Sequence, residues 1–310
     1  MSRKDTIYIL GSGAIGFPWA AYLTKAGRSA VAVRTSRKDL PKETVGVTVD
    51  NGSDRIEVAV PSIGLSNVPA FDGTIVVAAK SYANAAIATA LREKAATGPV
   101  VIAQNGVGVE KPFLDAGFTS VYRCVLYATG QAKSEYEFIF KPITASPIGT
   151  IVGDEAGLAR CVRDLSTEEF SFRAEPDIQR EIWKKAILNA AFNSICPLME
   201  VDNGVFARNA EIADIARELV RECVAITERL GVGLSESELM EQILRISRGS
   251  DGQLISTLQD IRSGRQTEIE YLNLEIARIA ASLQLQVPRV ELLGRLTLAK
   301  SQQAQSRIRR

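Results

Sequence analysis

A polar stripe on one predicted helix holds the residues best suited to chemistry in this chain of 310 residues. Lys185, Asn189 and Asn193 follow i, i+4, i+8 spacing, so they share one face of the helix that the pattern of residues 178–195 predicts. Asparagine is a poor helix former, so two asparagines on one stripe indicate a site. An ordinary solvent-exposed stripe has the same spacing, and spacing alone leaves both interpretations open.

The sequence contains no histidine, which limits the chemistry open to this stripe. A His–Asp acid–base pair, a His-ligated metal site and Ser–His–Asp hydrolysis are excluded, and we expect no metal. No tyrosine is followed four residues later by a lysine, so the Tyr-x-x-x-Lys pair of short-chain reductases is missing too. A proton donor must therefore be a lysine, tyrosine, cysteine or carboxylic acid. Lysine, with an unperturbed pKa of about 10.4, is protonated at neutral pH and can act as an acid directly.

A glycine-rich turn near the start of the chain indicates a cofactor. The motif Gly11-Ser12-Gly13-Ala14-Ile15-Gly16 follows a strand-like run at 7–10 and precedes a helix-like pattern. Gly11 can take the positive φ of the turn, Gly13 leaves room for a pyrophosphate, and Gly16 lets the helix lie close to the strand. The free N–H groups of the helix's first turn would face the phosphates. A glycine-rich turn of any α/β domain is the alternative, but βαβ spacing favours dinucleotide binding.

The end of the second predicted strand, at residues 29–33, distinguishes between the dinucleotides. An acidic residue there would bind the ribose 2′-OH of NAD. This chain instead has Arg34-Thr35-Ser36-Arg37-Lys38, with no carboxylate before Asp39. Such basic side chains suit a 2′-phosphate, so the sequence favours NADP(H) over NAD(H). A solvated basic loop is the alternative.

Two further predicted strands end in polar residues. The apolar runs at 74–79 and 99–103 are typical of buried strands, and they lead into Lys80 and into Gln104-Asn105-Gly106. In a doubly wound sheet the carboxyl ends of the strands line the ligand crevice. We therefore expect Lys80 and Asn105 to lie at that crevice.

The remaining patterns predict two domains of different class. Alternating runs at 45–49 and 56–60 predict edge strands or a hairpin. The rest of the first half predicts a helix at 83–94, strands at 121–129, 135–140 and 148–152, a helix at 156–165 and a short strand at 170–172. The second half predicts helices at 178–195, 207–230, 236–247, 266–283 and 288–305. We expect an α/β N-terminal Rossmann-type dinucleotide-binding domain at residues 1–174, followed by an all-α C-terminal domain at residues 175–310.

Composition narrows the partners to small molecules. The net charge of +1 gives no electrostatic footprint for nucleic acid, and no apolar run is long enough for a membrane span. The four cysteines are far apart and form no C-x-x-C motif, which argues against a disulfide framework and for a reducing, cytoplasmic setting. The long helices at 207–230 and 266–283 could pair between subunits as easily as within one, so a homodimer is open.

The chain resembles the ketopantoate reductase family over almost its full length. The resemblance rests on the glycine motif and Gln104-Asn105-Gly106, on Trp183-Lys184-Lys185 with Asn189, and on Leu258-Gln259-Asp260-Ile261-Arg262 leading to Arg265-Gln266-Thr267-Glu268-Ile269. Their order and spacing along one chain carry more weight than the glycine motif alone.

The resemblance implies NADPH-dependent reduction of the ketone of 2-dehydropantoate (ketopantoate) to pantoate, as in pantothenate and coenzyme A biosynthesis. Lys185 matches the catalytic lysine, which would give its proton to the developing alkoxide. Glu268 matches the acidic residue that holds a substrate hydroxyl and helps to position the lysine. Asn105 would orient the lysine or the ketone.

The resemblance also assigns binding residues. Arg34 matches the 2′-phosphate arginine, and Lys80 matches a lysine near the cofactor and the catalytic centre. The substrate-side polar positions are Asn189, Asn193, Asn203 and Ser256, with Ser256 the first choice to meet the carboxylate.

One position departs from the family pattern. Gln253 stands three residues before Ser256, where the family usually has asparagine, and the extra methylene can change which hydroxyl or carboxylate fits. Two alternatives therefore stay open. One is a related NADP-dependent reductase of another 2-keto or 3-hydroxy acid, and the other is a non-catalytic NADP-binding module.

Overall fold

The computed structural model describes residues 6–308 and divides the chain into two compact units. The first unit consists of Met1–Gln104 and Val109–Ile178, and the second of Asn105–Gly108 and Gln179–Arg310. The first is α/β and the second is helical, which confirms the predicted fold class. The segment Asn105–Gly108 groups with the helices, whereas the sequence analysis placed it within residues 1–174.

A single sheet runs through the described part of the first unit. Its strands are β1 Ile7–Leu10, β2 Ala30–Arg34, β3 Glu43–Asp50, β4 Arg55–Gly64, β5 Thr74–Val77, β6 Val100–Ile102, β7 Val121–Cys124, β8 Ala128–Ala132, β9 Glu137–Pro142, β10 Ser146–Val152 and β11 Phe172–Ala174. They lie in the order β11-β10-β7-β6-β5-β1-β2-β4-β3-β9-β8.

The centre of this sheet is parallel. Strand β1 pairs with β2 in the register Ile7↔Ala30 and with β5 in the register Ile7↔Thr74, and β5 pairs in parallel with β6. Ile9 and Val76 are fully buried here, as expected for strands covered on both faces. The carboxyl ends of β1, β2, β5 and β6 therefore lie at the same edge, where the sequence analysis placed the crevice.

The structure decides one strand prediction and corrects another. Of the two alternatives for residues 45–49 and 56–60, the hairpin is confirmed as β3 and β4, and they are not edge strands because β4 pairs with β2 and β3 pairs with β9. The run predicted as one strand at 121–129 is interrupted between Cys124 and Ala128. Its first part pairs with β6 and β10, while its second part pairs with β9 at the far edge of the sheet. The apolar pattern does not reveal this change of partner.

Helices cover the sheet within the first unit. They are α1 Gly16–Lys25, α2 Asn84–Glu93, α3 Lys111–Asp115 and α4 Glu155–Leu165. Trp19 of α1 is fully buried and stacks on Phe172 with ring centroids 4.8 Å apart, while Phe170 meets the same indole edge-on at 5.3 Å. This aromatic cluster fixes α1, and with it the glycine turn that opens the helix.

The second unit is built from seven helices among the described residues. They are α5 Ile178–Met199, α6 Val205–Arg208, α7 Ala210–Arg229, α8 Glu236–Gly249, α9 Ser256–Arg262, α10 Asn273–Ser282 and α11 Pro288–Ile308. No helix within residues 6–308 combines the length and apolar character that a membrane crossing requires.

The structure corrects two helix predictions in this unit. The segment predicted as one helix at 207–230 is divided at Asn209, whose side chain accepts a 3.2 Å hydrogen bond from the Ile212 N–H and so caps α7. The helix predicted at 266–283 begins only at Asn273, after a 3-10 turn at Ile269–Tyr271. Leu272, with φ −110° and ψ −105°, lies between the two and prevents one continuous helix.

Candidate active site

The glycine turn has the geometry that phosphate binding requires. Gly11 has φ +105°, and a Cβ on it would lie 2.3 Å from the Ala79 backbone nitrogen. A Cβ on Gly16 would lie 1.8 Å from the Gly11 oxygen. Gly13 is exposed, and a Cβ there would meet no described atom within 4 Å. Two glycines are thus required by the fold, whereas the third leaves open space beside the turn.

The start of α1 adds backbone donors to this open space. Ile15, an apolar residue, stands at the N-cap, and the first turn carries no acidic residue among the described positions. Phe17 N–H already bonds to the Gly13 oxygen at 3.2 Å. The backbone N–H groups that precede Phe17 at the start of a helix have no acceptor within that helix and can donate to a ligand. The helix dipole favours an anion at the same place. The turn can therefore hold a pyrophosphate.

Main-chain hydrogen bonds fix the strand ends around the turn. Gly11 N–H donates to the Val33 oxygen at 2.9 Å, and Ala78 N–H donates to the Leu10 oxygen at 2.8 Å. Lys80, two residues past Ala78, is half-buried at the start of a short 3-10 turn. The structure thus brings the glycine turn and Lys80 to the same edge of the sheet.

Arg34 at the end of β2 is buried and already engaged. Its Nε donates to the Ser62 hydroxyl at 3.2 Å, its Nη1 to Glu135 at 2.9 Å and its Nη2 to the Tyr136 hydroxyl at 2.7 Å. Sequence analysis placed Arg34 at the correct strand end but missed Glu135 and Tyr136, because they lie on a hairpin, 101 and 102 residues away. Arg37, by contrast, is exposed.

A buried amide pair, also missed from the sequence, supports the end of β6. Gln104 Nε2 donates to Asn84 Oδ1 at 2.7 Å and to the Ala79 oxygen at 2.6 Å. Asn84 Nδ2 returns a 2.8 Å bond to Gln104 Oε1 and gives another to the Val109 oxygen. Asn84 is a polar residue among the alanines of the helix predicted at 83–94, and this contrast is the one signal that could have found it. Both flanks of the segment 105–108 are fixed by this pair.

The segment Asn105–Gly108 approaches the helical unit through its backbone. Gly106 has φ +105°, and a Cβ on it would lie 2.3 Å from the Tyr271 oxygen. Tyr271 N–H in turn bonds to the Glu268 oxygen at 2.9 Å. Asn105 and Glu268, both half-buried, therefore lie in segments that pack against each other within one unit.

The three residues of the stripe on α5 differ in burial. Lys185 and Asn189 are half-buried, whereas Asn193 is only 3% exposed. Asn193 Oδ1 accepts hydrogen bonds from the Thr257 hydroxyl at 2.7 Å and from the Ser256 hydroxyl at 3.3 Å. Asn193 therefore joins α5 to the first turn of α9, and Thr257 is a further residue that sequence analysis missed.

A second connection joins Asn203 and Gln253. Asn203 N–H donates to the Gln253 oxygen at 2.9 Å, and the Ser247 hydroxyl donates to the Asn203 oxygen at 2.7 Å. Asn203 is 8% exposed, and its side-chain Oδ1 is buried with no hydrogen-bond partner among the described residues. The Gln253 and Ser256 residues are exposed. Because an unpaired buried acceptor costs about 1–3 kcal/mol, Asn203 Oδ1 marks a place for a donor.

The loop that leads to Glu268 is fixed by one acidic residue. The carboxylate of Asp260 accepts a 2.9 Å hydrogen bond from Arg265 Nε. The backbone oxygen of Asp260 accepts a second 2.9 Å hydrogen bond, from the backbone N–H of Arg265. Asp260 is buried, so this double contact sets the path of residues 263–268. Within residues 6–308 no group of three or more Asp, Glu or Cys side chains is arranged to hold a metal ion.

Comparison with known families covers both units. The family model described as "Ketopantoate reductase PanE/ApbA" matches residues 7–146, and its C-terminal counterpart matches residues 177–301. The chain belongs to the ketopantoate reductase family. This membership confirms the resemblance found in the sequence, and it makes the chain an oxidoreductase of the kind that uses a nicotinamide cofactor.

Individual relatives agree with membership of the ketopantoate reductase family. A 2-dehydropantoate 2-reductase of Pyrococcus abyssi is 28% identical over 299 residues, which cover 95% of this chain and 97% of the relative. A dimeric ketopantoate reductase from Staphylococcus aureus superimposes with a TM-score of 0.82 at 22% identity, over 96% of this chain and 99% of that one.

A neighbour with another activity has the same fold. The ternary structure of D-mandelate dehydrogenase with NADH and anilino(oxo)acetate gives a TM-score of 0.84 at 18% identity, over 96% of this chain and 99% of that one. At such identities the likeness shows the shared fold, and the choice of substrate rests on individual residues.

Proposed function

We propose that this chain reduces the ketone of 2-dehydropantoate to pantoate with NADPH, and that Lys185 is the general acid. One observation supports this most directly. The second unit holds the half-buried Lys185 one turn from Asn189, together with the exposed residue Ser256 and a buried acceptor on Asn203 that has no partner within residues 6–308. The names of the curated relatives supply the substrate.

The first unit would hold the cofactor. The space beside Gly13 and the backbone donors at the start of α1 would bind the pyrophosphate, with Ser12, Ala14 and Ile15 as the rest of the turn. Arg34 would bind the 2′-phosphate, and Lys80 would lie near the cofactor. When bound, NADPH supplies the hydride to the ketone carbon.

The second unit would bind and protonate the substrate. Lys185 would donate its proton to the oxygen that becomes the pantoate hydroxyl, with Asn105 orienting the lysine or the ketone. Ser256, an exposed residue at the start of α9, would turn its hydroxyl from the 3.3 Å contact with Asn193 Oδ1 and donate to the carboxylate. Glu268 would accept a hydrogen bond from the substrate's existing hydroxyl, and Asn189 and Asn203 would complete the polar face.

The test compares two neighbouring lysines. NADPH oxidation with 2-dehydropantoate is followed for the wild type, Lys185→Ala and Lys184→Ala. Lys184 serves as the matched control, because its Nζ is already paired with Glu238 at 3.2 Å. We expect kcat to fall by roughly 100-fold to 10,000-fold in Lys185→Ala, the range for loss of a general acid. The control should keep near wild-type kcat.

Other results would redirect the proposal. Equal activity in the two variants would remove Lys185 from the role of acid. Tight NADPH binding without turnover of any 2-keto acid would favour a binding module instead.

A second candidate is a reductase of another 2-keto acid. Gln253 is exposed and bonded through its backbone oxygen to Asn203, so its longer amide can reach a different substrate group than asparagine would. D-mandelate dehydrogenase shows that this fold accommodates another activity. A panel of 2-keto acids tested with the wild type and Gln253→Asn would discriminate. A higher kcat/KM for another acid, moved towards 2-dehydropantoate by the substitution, would support the second candidate.

We also infer a homodimer. The S. aureus relative is dimeric, and Leu292 and Leu296, one turn apart on α11, are exposed apolar side chains in this chain. Light scattering after size exclusion should give twice the chain mass, and a monomer at micromolar concentration would contradict this.

A further inference from the structure

A glutamate of the first unit occupies the basic site at the end of β2. Glu135 Oε1 accepts Arg34 Nη1 at 2.9 Å and Arg37 Nη1 at 2.5 Å. The Arg34 side chain is 6% exposed, while that of Glu135 is 42% exposed. One carboxylate oxygen thus binds both guanidinium groups in the way that a phosphate oxygen would.

The rest of the contact is built by the same hairpin. Tyr136 is uncharged, but its hydroxyl accepts a hydrogen bond from Arg34 Nη2 at 2.7 Å. The centroid of its ring lies 5.3 Å from the guanidinium carbon of Arg34. The Tyr136 ring also meets Phe17 of α1 edge-on at 5.7 Å. Arg34 is therefore held between the hairpin and the helix that follows the glycine turn.

The hairpin itself lies directly on the glycine turn. A Cβ on Gly130 of β8 would lie 2.3 Å from the Ala14 oxygen. Strand β9 pairs with β8 in the register Gly130↔Phe140 and with β3 on its other side, so the hairpin is part of the sheet. Glu135, in the turn between these strands, is consequently fixed beside the cofactor motif by a paired backbone.

Glu135 is ionised in this setting. The hydrogen bond from Arg34 lowers the pKa of its carboxyl, partial burial opposes this, and the charge of Arg37 adds to the lowering. At neutral pH the pair of arginines therefore faces an internal anion.

We propose that Glu135 stands in the place of the cofactor's 2′-phosphate and thereby sets the preference of this enzyme between NADPH and NADH. The inference rests on the proposed use of a nicotinamide dinucleotide. NADPH must displace the Glu135 carboxylate to reach Arg34 and Arg37. NADH carries only a hydroxyl at that position, so it leaves the carboxylate in place. Glu135 therefore weakens NADPH binding selectively.

The test measures the dissociation constants of NADPH and NADH by nicotinamide fluorescence for the wild type and Glu135→Gln. Glutamine keeps the size of the side chain but removes its charge. We expect Kd for NADPH to fall by about tenfold, corresponding to about 1.4 kcal/mol, and Kd for NADH to stay within about twofold. Glu137→Gln is the matched control, because Glu137 lies on the same hairpin and pairs with Arg55 at 3.1 Å instead.

The same substitution is then measured in the Arg34→Gln variant. There, Glu135→Gln should raise NADPH affinity clearly less than it does in the wild type, because the principal contact for which Glu135 and the phosphate compete is gone. An unchanged NADPH to NADH ratio in Glu135→Gln, or a weaker NADPH affinity, would overturn the inference. Failure of the proposed function is separate: it would appear as a wild type that binds neither dinucleotide, or that binds but does not turn over. Thermal melting of each variant excludes unfolding as the cause.

Discussion

We expect the substitution of glycine by alanine to have opposite effects on stability at Gly13 and at Gly16. In Gly16→Ala, the added Cβ would lie 1.8 Å from the Gly11 oxygen, far inside the ordinary separation of about 3.5 Å. The helix and the strand must then move apart, and overpacking of this kind costs about 1–3 kcal/mol or more. In Gly13→Ala, the Cβ would meet no described protein atom within 4 Å, and φ is not positive there.

The stability of Gly13→Ala should therefore be unchanged or slightly higher. Replacing glycine by alanine at a compatible position restricts the unfolded chain and stabilises by about 0.4–1 kcal/mol. Cofactor affinity should move the other way, because the Cβ occupies the space that a pyrophosphate needs. Loss of one hydrogen bond to a charged group costs about 1.5–3 kcal/mol, which raises Kd by roughly tenfold to 150-fold.

The assay needs two readouts for each variant. Thermal melting reports stability, where about 2–4 °C corresponds to 1 kcal/mol for a domain of this size. Fluorescence titration with NADPH reports Kd. We expect Gly16→Ala to melt lower than the wild type and Gly13→Ala to melt normally but bind weakly. Wild-type affinity in a normally folded Gly13→Ala would refute the assignment of this turn to the pyrophosphate.

Three further predictions concern two buried asparagines and the buried cysteines. Asn193→Ala removes the acceptor of the Thr257 hydroxyl, so urea unfolding should show a loss of about 1–3 kcal/mol, and an unchanged midpoint would contradict the cross-link. Asn84→Ala leaves the buried Gln104 Oε1 without its donor, and we expect a similar loss by the same measurement, whereas wild-type stability would show that the pair is dispensable. Burial raises the pKa of Cys161 and Cys196 to about 12, and all four cysteines are buried, so Ellman's reagent at pH 8 should react only after guanidinium is added. A thiol that reacts rapidly in the native protein would disprove this protection.

Local patterns were sufficient for much of the fold. The glycine turn, the central parallel strands and most helices follow from features that span fewer than about 20 residues, where periodicity and turn residues determine conformation. The positive φ of Gly11 and the close packing of Gly16 were predicted for the same reason, since both follow from the local strand–turn–helix motif, whereas the contact of Gly11 with Ala79 is long-range. The stripe of Lys185, Asn189 and Asn193 was visible because helical spacing is fixed.

Long-range pairing explains what the sequence did not reveal. Glu135 lies 101 residues from Arg34, and nothing in its local pattern indicates which cation it contacts. The hairpin of β3 and β4 resembled an edge because its alternation was typical of a half-exposed strand, and only the pairing with β9 places it inside the sheet. Asn105–Gly108 follows a strand of the first unit, yet the close approach of Gly106 to Tyr271 assigns it to the second.

The stripe on α5 shows why equal spacing does not mean equal function. Its last member, Asn193, is buried and engaged by Thr257 and Ser256, so its amide oxygen supports α9 from within the unit. We therefore interpret Asn193 as a positioning residue that holds the first turn of α9, and with it Ser256, rather than as a direct substrate contact. Lys185 and Asn189 are half-buried and keep partial access to solvent. A substitution at Asn193 should consequently change KM through Ser256 while the acid on Lys185 stays in place, which separates its effect from that of Lys185→Ala.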